Sequence, residues 1–147
     1  MNVVLRQVYY FEDLELGMEA SFAKTVSAAD ILAFAEVTGD KNPVHLDPDF
    51  AAKTPFKQPI AHGMLTASYI SAVFGLELPG PGAIYVSQTL NFRAPVMIGD
   101  RVVAKVRVRE LYPAKRRVRF ECVCAVDGKP VLEGEAVLMV QGRPAAQ

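Results

Sequence analysis

The 147-residue chain has no tryptophan, only two cysteines and two histidines, and no net charge, because sixteen Lys and Arg balance sixteen Asp and Glu. A neutral chain has no field to gather a polyanion, so nucleic-acid binding would have to come from a local patch. Cys122 and Cys124 stand two apart. On a strand their side chains leave the same face in parallel, a poor geometry for a disulfide, and they read as small buried hydrophobes. There is no Cys-x-x-Cys pair and no Cys/His cluster, so structural zinc and thioredoxin-type redox chemistry are unsupported. A G-x-S-x-G elbow, a glycine-rich phosphate loop and H-E-x-x-H are all missing, which removes serine-hydrolase, kinase and metalloenzyme readings. Residues 58–76 lack formal charge but carry Pro59, His62, Gly63, Thr66, Ser68, Ser71 and Gly75. A spanning helix needs about 20 predominantly apolar residues, so this stretch is expected to be a helix of a soluble core. Residues 1–10 lack the apolar run and cleavage pattern of a secretory leader, and a reducing cytoplasm is the expected compartment.

What is present points to one domain over residues 1–147. Apolar residues make up 51%, enough for a large core, and the ten Gly and ten Pro are dispersed rather than gathered into a linker. A short strand is expected over residues 19–26. Ser27 with Asp30 three residues later predicts a capped helix that stops at Gly39. The segment from Asp40 to Leu46 is expected to be a tight bend and not regular helix, because Pro43 has no amide hydrogen and biases Asn42 toward extended backbone. Asp47 and Pro48 then open a second short helix. Gly63 to Gly75 is apolar or small on every side, the pattern of a helix at the centre of a fold.

Four strand-like segments follow: residues 83–93, 101–112, 115–126 and 131–141. Their short connections predict an antiparallel meander. Val102, Ala104, Val106 and Val108 alternate with Lys105, Arg107 and Arg109, so one sheet face is apolar and the other wet. The basic stripe has Glu133 and Glu135 as available cross-strand partners and no interleaved aromatics, which favours ion pairing over a polyanion site. An apolar sheet face and an all-round apolar helix are reconciled when the sheet curls around the helix, giving an α+β domain.

Both histidines lie at irregular places. His45 follows Asp40 by five residues on the Pro-containing bend. A carboxylate and an imidazole on one stiff loop can face a common site and move protons near neutral pH; alternatively Asp40 closes the bend and His45 is a packed aromatic. Gly63 begins the central helix, whose first amides have no intrahelical partner, and the absence of a Cβ admits close approach of a ligand. That equipment can polarise a carbonyl, or it serves only close packing of helix on sheet. His62 is expected to satisfy a local hydrogen bond, and Ser68 and Ser71 to bond back to the preceding turn.

Three blocks in order choose between these readings: Phe34-Ala35-Glu36-Val37-Thr38-Gly39-Asp40-Lys41-Asn42-Pro43-Val44-His45, then Pro59-Ile60-Ala61-His62-Gly63-Met64-Leu65, then Asn91-Phe92-Arg93-Ala94-Pro95-Val96 with Gly99-Asp100. Over about residues 12–140 the chain resembles the MaoC-like, R-specific enoyl-CoA hydratase family (hydratase 2 type). The resemblance implies a hotdog fold, an antiparallel five-stranded sheet wrapped around a central buried helix. It makes Asp40 and His45 the catalytic pair over the pocket mouth, the Gly63 amide the donor to the thioester oxygen, and Ser71 a pocket hydroxyl. It further implies a 2-enoyl-CoA or R-3-hydroxyacyl-CoA substrate, no metal or other cofactor, no nucleic-acid or membrane partner, and a homodimer joined through residues 83–93. A hotdog thioesterase or a non-catalytic acyl-thioester binding protein would share the pocket.

Overall fold

In the computed structural model, which describes residues 8–145, Ser27 caps its helix as the spacing predicts. The Asp30 amide donates to Ser27 Oγ at 3.1 Å and the Ser27 amide to Asp30 Oδ2 at 3.0 Å. Helix α1 runs over Ala28–Thr38 and ends at Gly39, whose φ of 83 lets its amide reach back to the Ala35 carbonyl at 2.9 Å. The expectation about a leader falls mainly on residues 1–7, which lie outside the described residues.

The sheet has the order β1-β4-β5-β6-β2, all antiparallel, with β1 at Glu19–Thr25, β2 at Ile84–Gln88, β4 at Arg101–Tyr112, β5 at Arg117–Val126 and β6 at Lys129–Met139. A two-residue sixth strand, β3 at Asn91–Phe92, also pairs with β6. The expected single strand over residues 83–93 is therefore two pieces. Register shifts between Tyr85 and Ser87, and the Thr89 carbonyl then crosses β6 at Gly134, where a Cβ would stand 1.9 Å from it. Only glycine admits that approach, and the ladder breaks there.

The alternation predicted for β4 to β6 is present: Val102, Ala104, Val106, Phe120, Cys122 and Leu132 are all fully buried. Against them lies helix α4, Gly63–Leu76, through Leu65, Tyr69, Ile70, Val73 and Phe74. Phe74 meets Phe120 with ring centroids 4.8 Å apart. The wrap is one-sided, since Met64, Ser68, Ser71 and Gly75 remain exposed on the opposite helix face. On the wet face the cations are taken up by carboxylates, Lys105 with Glu19, Arg109 with Glu121, and Arg119 with Glu110 and Glu135. Cys122 and Cys124 are free and buried.

The bend differs from expectation in one respect. Pro43–Leu46 forms a single helical turn, α2, because Pro43 occupies the first position, where an amide hydrogen is not needed, and Asn42 Oδ1 caps the Val44 amide at 3.1 Å. Asp47 then caps α3, Pro48–Ala52, accepting from the Asp49 amide at 2.9 Å. The return to α4 is pinned to the body of the domain by the Ala61 amide on the Val96 carbonyl at 2.7 Å and the Ile60 amide on the Val44 carbonyl at 3.3 Å.

Candidate active site

The bend and the start of α4 enclose a cavity of about 450 Å³ lined by Asp40, His45, Phe56, His62, Gly63 and Phe92, among others. Asp40 follows the Gly39 helix stop, and its Oδ1 accepts from the Asn42 amide at 3.2 Å, which orients the carboxylate over the bend. His45 sits on α2 with Nδ1 2.7 Å from the Ile60 carbonyl. A carbonyl can only accept, so Nδ1 carries the hydrogen and Nε2 keeps a free lone pair. Burial holds the His45 imidazole below its usual titration range, with neighbouring His62 acting in the same direction, while the Ile60 hydrogen bond and the Asp40 charge oppose this. His45 is thus poised to accept a proton at neutral pH.

Gly63 is the first residue of α4, so its N–H has no partner within the helix and lies at the positive end of the helix dipole. A side chain here would collide with the Phe92 ring, whose Cε1 lies 2.6 Å from where a Cβ would stand. Phe92, which the third block names without a role, would have to swing its exposed ring aside for any side chain at position 63. His62 is hydrogen-bonded, though not locally as expected: its Nε2 donates to the Asp40 main-chain oxygen, 22 residues earlier, at 2.9 Å. Ser68 bonds back to the Leu65 carbonyl as expected.

Ser71 is placed apart from the other three predicted residues. It is exposed, two turns further along α4, on an adjoining apolar cavity of about 670 Å³ with Phe34, Ala67, Tyr85 and Leu90. The two cavities share Asp40 and Met64. The structure thus joins Asp40, His45 and Gly63 around one space and sets Ser71 around a neighbouring one.

Asp40, His45 and His62 each bring a donor atom within 4.8 Å of the others, a grouping of the kind that can hold a cation. Coordination uses lone pairs in the ring plane, however, and the two imidazoles stack with centroids 3.9 Å apart and 29° between planes. Their lone pairs run side by side and do not converge on one ion, so the cluster suits proton transfer better than metal binding.

A sheet curled on one helix, with an acid and an imidazole lining one cavity together with that helix's first residue, defines a class. Residues 13–133 match the MaoC like domain, and the chain belongs to that family, whose hotdog fold it has. Its relatives are more particular. It is 56% identical over 140 residues, 95% of this chain and 89% of the relative, to a 3-hydroxybutyryl-CoA dehydratase of Methylorubrum extorquens. It is 50% identical over 128 residues, 86% of this chain and 96% of the relative, to an (R)-specific enoyl-CoA hydratase of Aeromonas caviae. Among solved structures, an unliganded R-hydratase from Pseudomonas aeruginosa superposes with a TM-score of 0.88 at 41% identity, over 95% of this chain and 93% of that one.

Proposed function

We infer that this protein is an R-specific 2-enoyl-CoA hydratase, a hydro-lyase that in reverse dehydrates R-3-hydroxyacyl-CoA. The observation that carries this reading is that Asp40, His45 and the Gly63 amide line one cavity. The thioester oxygen faces the Gly63 N–H, which stabilises the negative charge that develops there as water adds to C3. The Asp40 and His45 pair takes a proton from the attacking water and supplies one to C2, so water is consumed whole and no redox or metal cofactor enters the balance. Both residues are carried by the bend between α1 and α3, an arrangement that suits syn addition.

In this reading the acyl chain extends into the apolar cavity that meets the first at Asp40 and Met64, and Ser71 is a hydroxyl on that path. The protein is a cytoplasmic homodimer. Edge strand β2 exposes Ile84, Tyr85 and Val86, and the uncovered face of α4 adjoins it, an apolar margin that a second copy would cover. Two free buried thiols accord with a reducing compartment, and among the described residues no helix is long and apolar enough to cross a membrane.

One assay tests the reading. Crotonyl-CoA incubated with purified protein should lose enoyl absorbance and yield the R-3-hydroxy product. Thiol release with the enoyl group intact would instead indicate a thioesterase, and binding without turnover a non-catalytic acyl-thioester protein. Light scattering at micromolar concentration should give a dimer mass.

A further inference from the structure

His62 is 1% exposed, yet the reaction above gives it no part. Because the Asp40 carbonyl accepts from Nε2, that nitrogen carries the hydrogen, and Nδ1, buried without a partner, keeps its lone pair. One face of the ring stacks on His45, and the Phe34 ring stands 4.8 Å away, tilted at 56°. The residue also immediately precedes Gly63, so the peptide bond that follows it carries the Gly63 N–H. Three pieces of the site therefore meet at a single side chain that touches none of the reacting atoms: the main chain of Asp40, the ring plane of His45, and the start of α4.

We propose that His62 is a positioning residue, an imidazole that ties the Asp40 main chain to the helix start and forms the platform against which the His45 ring is held. The inference takes its kinetic consequence from the hydratase reading; its structural content stands without it. The titratable groups that face His45 are Asp40 on the bend and His62 ahead of α4, and burial is the main cause that holds His45 below its usual range. Removal of the stacked ring would open the His45 face to water and let its titration return toward the ordinary histidine range.

Two substitutions separate the two contacts. His62→Gln keeps an N–H for the Asp40 carbonyl and removes the stacking face, whereas His62→Phe keeps a ring against His45 and removes the N–H. Nitrogen-15 imidazole NMR on substrate-free protein should find wild-type His62 as the Nε2–H tautomer. In His62→Gln the His45 midpoint should rise, and the acid limb of the kcat profile should rise with it. In His62→Phe kcat should fall ~10-fold to 10²-fold, with KM nearly unchanged and the His45 midpoint close to that of wild type. A merely structural role would lower thermal stability and leave kcat per folded molecule and the His45 midpoint where they were; that result overturns the proposal, as does a His62 that carries its hydrogen on Nδ1. Should neither variant fold, the wild-type tautomer decides. A wild-type protein inert toward crotonyl-CoA would refute the hydratase reading while the NMR arm still judged His62.

Discussion

Along the meander β4-β5-β6, Val102, Val106, Phe120 and Cys122 have no solvent exposure, and each sits between neighbours of the same kind. Between Asp40 and Gly63 only Ala51, Ala61 and His62 are buried. The meander is shaped by many interchangeable apolar contacts, so no single one determines its course. The bend is shaped by a few specific bonds from side chain to main chain, at Asn42, Asp47 and His62, and by the two amides that pin residues 60 and 61. Stability is concentrated in the first region and chemistry in the second. A site that must keep a carboxylate and an imidazole accessible to substrate cannot also bury them in a core.

The sharpest way to break that division is to disable the bend without touching the core. Asp40→Asn and His45→Gln should each lower crotonyl-CoA hydration about 10²-fold to 10⁴-fold, with thermal midpoints near wild type. Full activity in both would remove the site. The converse change, Phe120→Ala, deletes a fully buried ring packed on Phe74. It should cost about 3–5 kcal/mol in urea unfolding while the folded fraction retains wild-type kcat. Asp47→Ala removes the cap that follows the turn bearing His45, with an expected loss of about 1 kcal/mol and a fall in kcat out of proportion to it. The smallest effect is expected on the wet face, where Arg107→Glu and Arg109→Glu break exposed ion pairs. Stability should change by no more than about 1 kcal/mol and KM should hold; a raised KM would mean that the stripe grips the substrate's phosphates.

The same division explains what could be read from the sequence. Strict alternation over residues 101–126 reports a sheet face directly, and the Ser27 to Asp30 spacing and Gly39 report a helix's two ends, so these elements lie where the pattern puts them. The break between β2 and β3 was illegible, because it depends on the Thr89 main chain crossing Gly134, a contact between residues distant in sequence. The turn α2 was hidden by reading Pro43 as a breaker when it occupies a helix start. In the site, Asp40, His45 and Gly63 stood out through their motif blocks. The ring of Phe92 against Gly63 and the stack of His62 on His45 did not, since each joins segments that only the tertiary fold brings together. Ser71 was placed by resemblance, and its position two turns along α4 shows why spacing alone could not assign it to the same cavity as His45.

The central claim is that one bend beside one cavity both takes a proton from the attacking water and supplies one to C2. Hydration of crotonyl-CoA in deuterium oxide, followed by NMR of the product, tests it directly. The account predicts a 3R product with a single deuterium at C2 on the same face as the new hydroxyl. A 3S product, or deuterium on the opposite face or on both, would contradict it.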